Sequence, residues 1–61
     1  MTVYLRGKDR RPDQIEKGVQ SVSVDGKYIN IKYKPDTKRT TQWVVGVTYL
    51  ADEMEIERVE A

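Results

Sequence analysis

The stretch from Val19 to Lys34 constrains this chain more than any other. Two alternating segments flank Asp25-Gly26, a dipeptide favoured in two-residue type I′ turns because glycine takes φ > 0 without a Cβ clash. A two-residue turn at Asp25-Gly26 sets Val24 opposite Lys27, Val22 opposite Ile29 and Gln20 opposite Ile31. One face then carries Val22, Val24, Ile29, Ile31 and Tyr33, and the other carries Ser21, Ser23, Tyr28, Asn30 and Lys32. That separation is what a half-buried antiparallel hairpin needs.

The rest of the chain extends the same pattern. Residues 35–41 form a polar loop opened by Pro35, which cannot donate to a strand ladder, so the second strand ends near Lys34. A third strand, Gln42–Leu50, places Trp43, Val45, Val47 and Tyr49 on one face. Pairing Trp43 with Tyr33 sets Val45 opposite Ile31 and Val47 opposite Ile29. Gly46 then falls on the outer face opposite Asn30, where the Tyr28 ring can cover it. A tight turn or single helical turn over Leu50–Glu53 leads to a further strand with Met54 and Ile56 inward. Val59 breaks its parity, which predicts a bulge or strand end there. Thr2–Arg6 is a short strand with Val3 and Leu5 on one face. Residues 7–18 read as a loop, or as a short helical turn with Pro12 near its start and Gly18 at its end.

The predicted fold class is all-β. It is an antiparallel meander of four to five strands, forming a small SH3-like barrel or half-barrel that dimerisation could complete. Sixty-one residues hold one small domain, 1–61. Such a domain buries only about 60% of its unfolded surface, which places its stability at roughly 3–9 kcal/mol.

Composition removes most enzymatic chemistry. There is no Cys, so no disulfide framework or thiolate zinc site, and no His, the usual general base and commonest metal ligand. The four glycines are dispersed and make no phosphate-binding loop. The expectation is a chain without cofactor or metal, and not an enzyme. No apolar run is long enough to span a bilayer, and Met1–Arg6 does not read as a signal peptide. A soluble, cytoplasmic protein without membrane contact is therefore expected.

The net charge of +1 conceals an uneven distribution. Residues 1–51 hold ten basic and five acidic side chains, whereas residues 52–61 hold one basic and five acidic. Arg6, Lys8, Arg10 and Arg11, with Lys38 and Arg39 in the longer loop, form the candidate binding set for a protein partner or nucleic acid. Asp9, Asp13 and Asp36 dilute it, so solvated loops are the plainer reading and nucleic acid is the secondary partner. The glutamates of the last strand guard an edge against aggregation, and can pair with Lys27, Lys32 or the N-terminal arginines. As a metal or catalytic pair, Glu55 and Glu57 lack a third ligand. Tyr33, Trp43, Val45, Val47 and Tyr49 are assigned to the core or to a homodimer interface.

The run Val19–Tyr33, the polar loop, Trp43–Leu50 and Met54–Val59 together resemble small β-rich orphan proteins of phages and prophages of Gram-positive bacteria. The resemblance covers about two thirds of the chain and excludes residues 7–17. It implies the cytoplasm of a bacterial host and an accessory or regulatory role.

Overall fold

The computed structural model describes residues 1–35 and 45–61. They form six strands and no helix: β1 (Thr2–Gly7), β2 (Gln14–Glu16), β3 (Val19–Asp25), β4 (Tyr28–Tyr33), β5 (Gly46–Leu50) and β6 (Met54–Glu60). The strands make two antiparallel three-stranded sheets, ordered β2-β1-β6 and β3-β4-β5. The sequence pattern predicted one meander of four to five strands, and the difference lies at Gly18. There the chain bends (φ 66°), dividing one path into β2, which pairs with β1, and β3, which pairs with β4.

Backbone hydrogen bonds hold the two sheets together at this bend. Met1 and Val19 exchange two bonds of 2.9 Å, and the Lys34 N–H donates to the Gly18 carbonyl at 2.9 Å. At the far end Ala51–Glu53 joins β5 to β6 by a turn in which the Glu53 N–H donates to the Leu50 carbonyl at 2.9 Å. The resulting neighbour sequence, β6-β1-β2/β3-β4-β5, is consistent with a small half-barrel of two open sheets.

The β3–β4 hairpin forms one step further along than expected. Asp25 pairs with Tyr28, and Gly26-Lys27 makes the turn. Only Gly26 of the two has positive φ (60°), the signature of a type II′ rather than a type I′ turn. A type I′ turn at Asp25-Gly26 would force Asp25 to positive φ as well, which costs a residue with a Cβ. Val24 therefore faces Ile29, and Val22 faces Ile31. The partner shift is two residues, so the expected faces are kept. Gln20 does not face Ile31: it is the extra residue of a bulge between Val19 and Ser21. That bulge lets Val19 and Val22, three residues apart, both turn toward the core.

The same two-residue shift occurs across β4–β5. Val47 faces Ile31, Tyr49 faces Ile29, and Gly46 faces Lys32 rather than Asn30. Tyr28 lies opposite Leu50 and so does not cover Gly46. The glycine has another cause: a Cβ there would lie 2.5 Å from the Ile31 carbonyl oxygen.

Between β1 and β6 the parity break at Val59 is absorbed earlier than expected. Tyr4 faces Arg58 and Leu5 faces Ile56, leaving Glu57 as the bulged residue. Val59 remains in the strand opposite Val3. Residues 7–18 hold no helical turn. A turn with left-handed Asp9 (φ 52°) and Arg10 (φ 70°) precedes β2, which lies against β1 through Val3–Glu16, Tyr4–Ile15 and Leu5–Gln14. Ile15 alone is too little apolar surface to seat a helix, whereas β1 offers an unpaired edge.

The core comprises Val3, Leu5, Val19, Ile29, Ile31, Tyr33 and Met54, with Val22, Val47, Tyr49, Ala51 and Ile56 packed around it. Val24 (60% exposed) and Val45 (71% exposed) depart from the predicted core face. Val24 lies near the hairpin end, beside a cleft between the sheets, and Val45 immediately precedes β5. Trp43, Lys38 and Arg39 lie outside the described residues.

Candidate interaction surface

Two of the four described members of the predicted basic set, Arg6 and Arg11, are drawn into the molecule's own charge pairs. Arg6 projects outward from β1, opposite Glu55. Its guanidinium donates to Glu57 at 2.9 Å and lies 3.7 Å from Glu55. The Glu57 bulge places these two carboxylates around one arginine. The hydrogen bond to Glu57, then the charges of Glu57 and Glu55, hold Arg6 in its charged form even more firmly than usual. Arg11 pairs with Glu53 at 3.2 Å. Arg58 lies 3.4 Å from Glu60 and 4.1 Å over the Tyr4 ring, while the Tyr4 hydroxyl donates to Glu60 at 3.1 Å. The expected pairing of last-strand glutamates with N-terminal arginines is thus present. Lys27 and Lys32 take no part, because they lie on the other sheet's hairpin, Lys27 in its turn and Lys32 on β4.

Among the described residues Lys8 and Arg10 form no ion pair. The Lys8 ammonium donates to the neutral Ala51 carbonyl at 3.0 Å, and Arg10 stands exposed on the left-handed turn.

A polar cluster that alternation could not reveal joins the sheets. The Tyr33 hydroxyl donates to one oxygen of Glu16 at 2.7 Å, and the Tyr49 hydroxyl donates to the other. Glu16 reaches them from β2, Tyr33 from β4 and Tyr49 from β5. Burial first, then the hydrogen bond to Glu16 and its charge, push the Tyr49 phenol well above its ordinary pKa of 10.0. The only sequence signal was chemical: two tyrosines on a core face need acceptors for their hydroxyls.

Two concave regions lie among the described residues. A cleft of about 200 Å³ between the sheets is lined by Val24, Ile29, Ala51, Met54 and Ile56, with Lys8 and Glu55 at its rim. A broad depression of about 370 Å³ crosses the outer face of β3-β4-β5 over Ser21, Ser23, Asn30, Lys32, Gly46 and Thr48. The Thr48 hydroxyl there donates to the Asn30 side-chain oxygen at 2.9 Å. Among the described residues no group of three or more acidic, His or Cys side chains is arranged to hold a metal ion, and no helix is long and apolar enough to cross a membrane.

Beside the depression, Tyr28 (49% exposed) and Leu50 (43% exposed) stand opposite one another on the outer face, and Val45 is exposed at the start of β5. Comparison with family models, characterised proteins and solved structures gave no match.

Proposed function

We propose that this chain is a non-catalytic protein-interaction module, homo-oligomeric, with an accessory or regulatory role in the cytoplasm of a bacterial host and of phage or prophage descent. The carrying observation is the exposed apolar pair Tyr28 and Leu50, opposite one another on the outer face of β3-β4-β5. In a domain this small, an exposed tyrosine and leucine side by side on one sheet face favour a partner surface. The acidic residues fit this reading better than a catalytic one, because three of the five last-turn and last-strand carboxylates neutralise Arg6 and Arg11.

Size-exclusion chromatography with light scattering at low micromolar concentration tests the homo-oligomer. A strict monomer with a cooperative melt refutes it.

Nucleic-acid binding is the second reading, favoured by the charges of Lys8 and Arg10, which form no ion pair among the described residues. Arg6 and Arg11 contribute little to it, being already paired. A salt titration of DNA and RNA binding decides it. Binding lost at moderate salt and indifferent to Arg10→Ala with Arg11→Ala is non-specific and defeats this reading.

A further inference from the structure

Among the described residues, the sheet β3-β4-β5 has two open edges. The β3 edge is obstructed at its start, where Met1 bonds to Val19, and carries Asp25 at its end. The β5 edge has neither feature. From Val45 to Ala51 there is no charged residue and no proline, the usual devices by which an edge refuses another strand. β6, by contrast, carries Glu55, Glu57 and Glu60.

The backbone of β5 has a fixed alternation. The Tyr33 N–H donates to the Val45 carbonyl, and the Ala51 N–H donates to the Lys27 carbonyl. Val45, Val47, Tyr49 and Ala51 therefore direct their backbone groups toward β4, and Gly46, Thr48 and Leu50 direct theirs to the open edge. Of these, the Leu50 carbonyl already accepts from Glu53. The amides of all three and the carbonyls of Gly46 and Thr48 face outward.

We propose that β5 pairs antiparallel with β5 of a second copy, with Thr48 on the twofold axis. The proposal rests on the interaction-module reading and names its partner. In this register the two Thr48 residues exchange both backbone bonds, and each Leu50 N–H donates to the Gly46 carbonyl of the other copy. Val47 meets Tyr49 on the core-facing side. On the outer face Leu50 lies over Gly46, whose missing side chain leaves room, and Thr48 meets Thr48, a favourable cross-strand pair. No like charges meet. Two three-stranded sheets become one of six strands. An unrelated extended peptide could use the same amides, but this strand supplies its own complement at each position about Thr48. A single strand pair with a few flanking side chains lies at the small end of specific interfaces, so dissociation falls in roughly the micromolar range.

The test uses the full chain with Thr48→Lys and Thr48→Glu. Thr48 is exposed and each variant loses only its surface bond to Asn30, so both should melt close to the wild type. Sedimentation equilibrium is expected to show a wild-type dimer and roughly tenfold or greater weakening in each variant, from like charges meeting on the axis. An equimolar mixture is expected to restore dimerisation, with native mass spectrometry reporting the heterodimer. Dimers that persist in both variants overturn the β5 pairing while leaving a homo-oligomer by another surface intact. A wild-type monomer throughout overturns both readings. A mixture that stays monomeric overturns the Thr48-centred register. Should the variants fail to fold, wild-type amide exchange decides: Thr48 and Leu50 are expected to exchange more slowly as concentration rises, and concentration-independent exchange overturns the pairing.

Discussion

Glu16 is the residue whose surroundings matter most beyond the apolar core. Its carboxylate receives the hydroxyls of Tyr33 and Tyr49, so one side chain from β2 fastens two strands of the opposite sheet. Glu16→Ala leaves both hydroxyls without that acceptor and is expected to cost about 1–3 kcal/mol, read from the shift of a urea midpoint. Glu16→Gln keeps an acceptor and should cost less. The Tyr49 phenol also predicts an alkaline response. Its folded pKa lies above the ordinary 10.0, so the neutral phenol is favoured in the folded state. The associated stability is fully present below about pH 10 and declines as pH rises beyond it toward the folded pKa. Urea melts across that range should show a falling midpoint in the wild type and a shallower fall in Tyr49→Phe.

At the scale of the elements, two bulges and one turn set the faces of the strands. Gln20 and Glu57 are extra residues that keep Val19 with Val22, and Ile56 with Val59, on common sides of strands whose spacing would otherwise separate them. The β3–β4 turn depends on Gly26, with φ of 60° and open space where a Cβ would stand. Gly26→Ala is therefore expected to cost about 1 kcal/mol from backbone conformation alone, with Gly26→Asn costing less. Gly46→Ala differs in cause, because its Cβ would press on the Ile31 carbonyl at 2.5 Å. It should disturb β4–β5 pairing, seen as faster amide exchange at Ile31 and Val47, where Gly26→Ala perturbs the hairpin end. The positions of the bulges were only partly legible. Val59 signalled a break in parity, yet alternation alone cannot say which preceding residue absorbs it.

For the molecule as a whole, the opposed charges of the two chain ends meet across β1 and β6. Arg6 and Arg11 lie against Glu53, Glu55 and Glu57, while Arg58 pairs with Glu60 along β6, all on the surface. Exposed pairs of this kind contribute little individually. Raising salt to the molar range, or replacing Arg6 by Ala, is expected to leave the urea midpoint nearly unchanged. A larger loss in chemical melts would show that these pairs act as a cooperative network. The same arrangement explains why the candidate basic set was only half legible. Clustered arginines mark a possible contact surface in sequence, and only the fold shows that Arg6 and Arg11 already face carboxylates.

The sequence by itself determined the all-β class, the inward faces of β1, β4 and β6, and the hairpin near Gly26. Each follows from a period of two and from turn chemistry that acts within a few residues. The tertiary structure decided the rest. A slip of two residues leaves every side chain on its face, so alternation could not choose the registers of β3–β4 and β4–β5. Three residues of β2 carry too little pattern to declare a strand until β1 lies beside them. The Glu16 cluster depends on how the two sheets fold together, and the Arg6 pairs on β6 returning beside β1 from far along the chain.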